Sequence, residues 1–262
     1  MIRALYTAAS GMMAQQMNLD TIANNLANSS TTGFRQLRLQ FQDMLYQNLI
    51  TPGAAQTQST ISAGLQIGMG TLPAATEVIM TQGELNQTNN PLDIAIEGSG
   101  FFQVQQLNGT IAYTRAGQFQ LNNQGTIVTT NGDTLIPTIT VPPNATSVTI
   151  TPYGVVNATL PGQTNPSQLG QIQLANFPNP GGLESMGGNL LTATLASGDP
   201  LVGNPGGVEG LGQLQQGYLE NSNVDVVTEF VQMVLAQRAY ESNSKVIKAA
   251  DTMYSQVNNM AN

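Results

Sequence analysis

The sequence predicts an α+β fold: a discontinuous helical domain built from the two chain ends, paired as a coiled coil, with a mainly antiparallel β middle domain. Three observations carry this prediction. Apolar side chains recur every seven residues in both terminal segments. The middle instead alternates apolar and polar residues and is cut by Asn-Gly and similar turn signals. Charged residues make up only 8% of the 262 residues, with Asn, Gln, Ser, Thr and Gly in the places Lys and Glu usually hold. A surface so sparsely charged offers little repulsion between copies and suits a protein covered by neighbours.

Taken in order, Leu5, Met12, Leu19 and Leu26 lie seven apart, with Ala8, Gln15 and Ile22 between them. That is one apolar seam on a helix running to about Asn28. Residues 46–70 are polar, glycine-containing and without helical periodicity, although Leu65, Ile67 and Met69 alternate like a strand edge. Leu92, Ile94 and Ile96 then alternate with Asp93, Ala95 and Glu97, the period of a half-buried strand. Similar alternation marks Phe102 and Val104, Phe119 and Leu121, Ile139 and Val141, Val148 and Ile150, and Ile172 and Leu174. Turns are signalled at Asn108-Gly109, Asn122-Asn123, Asn131-Gly132, Pro142-Pro143 and Tyr153-Gly154. Residues 176–212, rich in Gly, Pro and Asn, read as a solvated loop or linker.

The last segment repeats the seven-residue device with Val226, Met233, Tyr240, Ile247 and Tyr254, and Ala236, Asn243, Ala250 and Val257 fill the alternate positions. Ser222 with Asp225 three residues on reads as a capping-box start. Neither helix has a helical neighbour in sequence, so the expected partner of each is the other or copies in other chains, with packing on its own globular core as the alternative. The expected division is 1–30 with 222–262 as the helical domain, 31–95 with 205–221 as an extended or β connection, and 96–204 as a β-rich outer domain.

Composition excludes several function classes. The net charge is −8, and the seven basic residues form only short pairs such as Arg35 with Arg38 and Lys245 with Lys248, so no stripe is offered to phosphates. With no cysteine and no histidine, the commonest nucleophiles, bases and metal ligands are missing, and neither cofactor nor metal is expected. Asp93 and Glu97 share a strand face, but their Cα atoms would lie about 13 Å apart. Paired glycosidase carboxyls need roughly 5–9.5 Å. Gly98-Ser99-Gly100 lacks the third glycine of a dinucleotide loop. The reading is non-enzymatic. No apolar run suits membrane insertion, and the first residues do not resemble a cleaved signal peptide.

Four strings add a family resemblance. ANNLANSSTTGFR (Ala23 to Arg35), TQGELNQTNNPLDIAIEGSGFFQV (81–104), YTRAGQFQLNNQG (Tyr113 to Gly125) and NVDVVTEFVQMVLAQRAYESNSKVI (Asn223 to Ile247) resemble, in order, signatures of the bacterial flagellar rod and hook axial proteins. Asn24, Asn25 and Asn28 bring amides to the helix end, and Gly33, before Phe34, supplies a free backbone angle. Tyr46 to Gly68 resembles the segment particular to the distal-rod branch. Proximal-rod or hook membership is the alternative within the family. An adhesive, carbohydrate-binding β module is the alternative outside it, disfavoured by the absence of Trp and an aromatic content of 5%.

The resemblance implies a structural subunit that self-assembles helically into the hollow rod of the basal body, a drive shaft carrying torque from motor to hook. It implies export by the flagellar type III apparatus without a cleaved signal, and a place in the rod spanning the periplasm. Implied partners are other copies, proximal rod proteins, the hook protein, and ring proteins of the peptidoglycan layer and outer membrane; nucleic acid is not among them. Expected assembly contacts are Leu5, Met12, Leu19, Ile22, Leu26, Asn24, Asn25, Asn28, Gly33, Phe34, Val226, Met233, Tyr240, Ile247 and Tyr254. A segment keeping the rod straight is expected at Tyr46, Pro52, Gly53, Gly64, Leu65, Ile67 and Gly68.

Overall fold

A computed structural model describes residues 2–50, 55–56, 59–60, 64–163, 165–207 and 210–260. The chain forms two compact units, one drawn from 1–27, 37–77 and 225–262 and the other from 28–36 and 78–224. Two helices and a mainly antiparallel β middle make this the α+β fold that the periodicities predict.

The first unit holds helix α1 (Ile2–Ala27) and helix α2 (Val226–Met260), which pack on one another. Ala8, Ala14, Ile22 and Asn25 are buried on α1, with Leu5, Met12, Gln15, Leu19 and Leu26 half-buried. On α2 the covered stripe is Glu229, Met233, Ala236, Asn243, Ile247 and Ala250. The seven-residue period therefore survives, but mostly small side chains fill its deepest positions. Gly11 faces Asn243, whose Nδ2 would sit 2.8 Å from a Cβ placed on the glycine. The helices run antiparallel. Asn25 holds Leu37 at the end of α1, and Asn223, just before α2, holds the adjoining Gln36.

Two features of the predicted seam are corrected. Val226, Tyr240 and Tyr254 carry the right spacing yet are exposed, as is Val257. α2 has 35 residues against 26 in α1, and every described side chain of α2 after Ala250 is exposed. The cap is also displaced: Asp225, not Ser222, starts α2, accepting the Val227 N–H at 3.0 Å and the Thr228 hydroxyl at 2.6 Å. Ser222 binds Val224 instead, because the backbone at 221 is still committed to Glu84 in the β unit.

Between the helices in sequence, strand Leu37–Asp43 pairs with Thr71–Val78, and Tyr46–Ile50 pairs antiparallel with Leu65–Gly68. Residues 46–50 and 65–68 are thus a two-stranded ribbon, where the sequence offered only a strand-edge alternation. Asn25 explains how the first strand starts. Its Nδ2 donates to the Leu37 carbonyl at 2.8 Å and its Oδ1 accepts the Leu37 N–H at 2.9 Å, as a neighbouring strand would.

The second unit is built on a nine-stranded sheet. At its centre Phe101–Gln105 pairs with Ile111–Thr114, Thr134–Ile136 and Leu174–Asn176, the first through the Asn108-Gly109 turn. Asn131-Gly132 and Tyr153-Gly154 also form the hairpin turns their sequence predicts, with Gly132 and Gly154 at positive φ. Ser147–Ile150, Val155–Thr159 and Ser167–Gln171 make a separate three-stranded sheet. The main core gathers Ile94, Ile96, Phe102, Val104, Phe119, Ile127, Leu135, Ile172 and Leu174, with Phe102 and Phe119 edge to face at 5.1 Å.

Here too the structure corrects the reading. Ile94, Ala95 and Ile96 are all buried, so this strand is covered on both faces, not half-exposed. The run 176–212 is no linker: Glu184–Gly187, Leu190–Thr192 and Leu201–Gly203 are strands of the main sheet. Its glycines and asparagines serve tight turns, with Gly187, Gly188 and Asn189 at positive φ.

Candidate functional site

Three surfaces collect the residues singled out by sequence. The first is the helical pair. Its inner face holds Leu5, Met12, Leu19, Ile22, Leu26, Met233 and Ile247, at least half-buried. Beyond it lies a second apolar face: Val227, Phe230, Val231, Val234 and Leu235 on α2 are all exposed, as are Tyr6, Met13 and Met17 on α1. Val227 is 71% and Leu235 64% accessible. The first three turns of α2 are thus apolar nearly all round, a pattern found where a helix is buried all round. Sequence reasoning, following one seam, missed this face. The run VVTEFVQMVL, with five apolar residues outside the seven-residue spacing, was the signal available.

The second surface is the ribbon Tyr46–Ile50 and Leu65–Gly68. Tyr46 opposes Gly68, and its ring lies 3.4 Å from where a Cβ on Gly68 would stand. A hydrogen bond to Asp43 raises the Tyr46 hydroxyl above the ordinary tyrosine value. Leu45, Tyr46, Leu49, Ile50 and Leu65 are exposed, Ile67 is half-buried, and Gly64 precedes the returning strand. Pro52 and Gly53 lie outside the described residues.

The third lies within the β unit, where the chain arrives from α1 and departs toward α2. Glu220 is fully buried between two arginines: Oε1 meets Arg35 Nη2 at 2.7 Å and Oε2 meets Arg115 Nη2 at 2.9 Å. Gly83 donates its N–H to Oε1 at 2.9 Å, and Arg115 Nε donates to Oε2 at 2.9 Å. The surplus positive charge is met by carbonyls: Gly98 at 2.8 Å and Gly100 at 2.6 Å from Arg115, and Thr81 at 2.9 Å from Arg35. Burial pushes the Arg115 guanidinium below the usual arginine value; Glu220 opposes that shift and Arg35 adds to it. An arginine nonetheless stays charged at any ordinary pH.

Beside this cluster, Asn223 accepts the Gln36 N–H at 2.7 Å and donates to the carbonyls of Ile79 at 2.9 Å and Thr81 at 3.0 Å. Gly33 donates its N–H to the Glu220 carbonyl at 2.8 Å, with φ +70°. A Cβ there would stand 2.8 Å from the Ala116 nitrogen, so this turn admits glycine alone. Phe34 is half-buried next to it and donates to Thr31, Asn28 accepts the Thr31 hydroxyl, and Asn24 is exposed. Arg35, Thr81, Gly83, Arg115 and Asn223 come from the four quoted strings, which meet in space around Glu220. Glu220 was missed because a lone acid outside those strings carries no pattern.

The carboxylates weighed for chemistry are structural acceptors. Asp93 is buried and takes the Thr88 hydroxyl at 2.7 Å and the Asn90 amide at 3.0 Å, while Glu97 takes the Gln215 amide at 2.6 Å. Among the described residues no group of three or more acidic or other metal-ligating side chains is assembled. No described helix is long and apolar enough to cross a membrane.

Known proteins align with these surfaces. The chain matches the family model described as flagella basal body rod protein over residues 5–35. It matches the flagellar hook protein FlgE/F/G D1 domain over 95–158 and the flagellar basal body rod FlgEFG protein C-terminal over 215–260. It is 48% identical over 254 residues to the flagellar basal-body rod protein FlgG of Buchnera aphidicola subsp. Acyrthosiphon pisum, covering 97% of each chain. FlgG of Borreliella burgdorferi is 46% identical over 263 residues and 99% of each chain, and FlgG of Bacillus subtilis 38% over 264 residues, again 99% of each. Identity at this level along almost the whole length shows that the chain belongs to the FlgG family of flagellar basal-body rod proteins.

Proposed function

We propose that this chain is a structural subunit of the distal rod, stacking helically with copies of itself into the hollow shaft that carries torque across the periplasm to the hook. The observation that carries the reading is the doubly apolar start of α2. One face covers the chain's own α1, and the other exposes Val227, Phe230, Val231, Val234 and Leu235. A surface of that kind on a sparsely charged protein suits repeated burial against further copies. Each addition would dock one patch on a different patch of its neighbour, giving an open helix rather than a closed ring. The work is mechanical and draws on no cofactor. Proximal rod proteins, the hook protein and the ring proteins around the shaft are the further partners this position implies, with delivery by the flagellar export apparatus without a cleaved signal.

Within this reading the seam residues Leu5, Met12, Leu19, Leu26, Met233 and Ile247 hold the subunit's own helices together, and contacts between subunits fall to the outer face together with Val226, Tyr240 and Tyr254. A strain lacking the gene should yield basal bodies ending in a short rod stub without a hook. Restoring the gene should restore both; restoring it as Leu235→Asp should restore secretion alone. Normal hooks in the Leu235→Asp strain would refute the assignment of that face.

The ribbon at 46–68 fits a second role, that of keeping the rod straight. Its exposed Tyr46, Leu49, Ile50 and Leu65 can lie against the next subunit along the shaft and block sliding. Deleting residues 46–68 should leave a rod that polymerises but bends, as seen by electron microscopy of isolated basal bodies. A straight rod of normal stiffness would remove the ribbon from this role.

A further inference from the structure

Apart from Ile22, the helical seam is poor in large apolar side chains at its deepest points, where Asn25 and Glu229 are polar. Ala8, Ala14, Ala236 and Ala250 are among its most buried residues, and Gly11 sits opposite Asn243. Alanines bury little apolar area each, so such a seam has good shape but little intrinsic affinity. It is also self-similar, and nothing in its side chains distinguishes an α2 of the same chain from that of another copy. Proteins that pair like this choose a partner through effective concentration, which depends on how closely the two segments are tethered.

The β unit supplies that tether. α1 ends at Ala27 and α2 starts at Val226, nearly two hundred positions later. Within the β unit, however, segment 28–36 and segment 220–224 are joined side by side. Glu220 binds Arg35 through its side chain and Gly33 through its carbonyl, and Asn223 binds Gln36. Arg115 anchors Glu220 to the sheet. We infer that the Arg35–Glu220–Arg115 clasp and the Asn223 amide form a positioning device that pairs α1 with α2 of the same chain by holding their roots together. The charges fit that role, because a buried acid flanked by two bases is satisfied in one geometry, whereas apolar contacts would tolerate sliding. The clasp stands whether or not the rod reading does, because it concerns one chain in dilute solution.

The protein has no cysteine, which permits a direct measurement. A Gly11→Cys/Asn243→Cys chain places two thiols across the seam. Equilibration with reduced and oxidised glutathione gives their effective concentration at micromolar protein. The same pair is then measured with Arg35→Met, which leaves Glu220 its one-to-one partner Arg115, and separately with Asn223→Ala, which removes no charge. The expected result is a fall in effective concentration of at least tenfold in either variant, while hydrogen exchange in the central strands of the β unit stays native. An unchanged value in both variants overturns the inference. So does a fall that occurs only together with lost protection in the β strands, because the cluster would then be ordinary core. If Arg35→Met unfolds the β unit, Asn223→Ala alone decides.

Discussion

The two units bury different things. The β unit closes on Ile94, Ile96, Phe102, Phe119, Leu135 and Leu174 and leaves its turns to asparagine and glycine. The helical unit buries alanines and sets Val227, Phe230, Val231, Val234 and Leu235 in water. One part of the chain gathers a large apolar core and exposes its remaining apolar residues, such as Leu107 and Leu195, at separate points; the other holds a run of apolar surface on one helix in reserve. On the proposed reading of the exposed α2 face, stability and assembly fall to separate stretches of sequence, and substitutions should separate them.

The largest effect is expected at the boundary of the β unit. Glu220→Ala leaves Arg35 and Arg115 buried without their common partner, which should cost about 3–5 kcal/mol. A matching fall in the urea midpoint of the isolated protein would show it, and a change below about 1 kcal/mol would mean water reaches the cluster. Next comes a paired test of the contrast itself. Leu174→Ala, in the main core, should cost about 2–5 kcal/mol. Leu235→Ala, on the outer face of α2, should change the stability of the monomer by less than about 0.5 kcal/mol yet shorten the polymer. Equal losses at the two sites would erase the distinction between the units.

The smallest expected effect is a pH response at the start of α2. The hydrogen bond from Thr228, then that from Val227, holds the Asp225 carboxyl below its ordinary value of 3.8. A carboxyl depressed by folding stabilises the helix start above its unfolded pKa and loses that contribution as pH falls through the folded one. Amide exchange at Val227 and Thr228 should therefore quicken, relative to the rest of α2, only below about pH 3.8. Asp225→Asn should lose most of that pH dependence. Unaltered dependence in Asp225→Asn would assign the effect to another group.

Much of this architecture was legible because it rests on local period. The spacing of Leu5, Met12 and Leu19 on α1, and of Met233 and Ile247 on α2, is a property of neighbours on one helix, and the Asn-Gly turns need no tertiary knowledge. What stayed hidden depends on partners far apart in the chain. Strand Ile94–Glu97 looked half-exposed because Asp93 before it and Glu97 at its end are polar, yet Gln213–Gln216 pairs along it and Ala95 is buried with Ile94 and Ile96. The strands within 184–203 were masked by glycine and asparagine, since composition alone cannot tell a linker from a set of tight turns. Glu220 had no local signature at all: its meaning is given by Arg35 and Arg115, 185 and 105 residues away in the numbering.

That distance has a consequence for timing. Strand Tyr218–Glu220 pairs with Leu85–Gln87, and Gln213–Gln216 pairs with Ile94–Glu97, so the β unit is closed by residues that follow nearly all of its own sequence. α1 likewise precedes its helical partner α2 by nearly two hundred positions. A chain growing from its N-terminus cannot complete either unit until almost all of it exists. Contacts that link distant positions form slowly, and here they are also available late. Each unit thus stays open, with apolar surface that its late segments would cover still in water, until residues 213–220 and then α2 have been made.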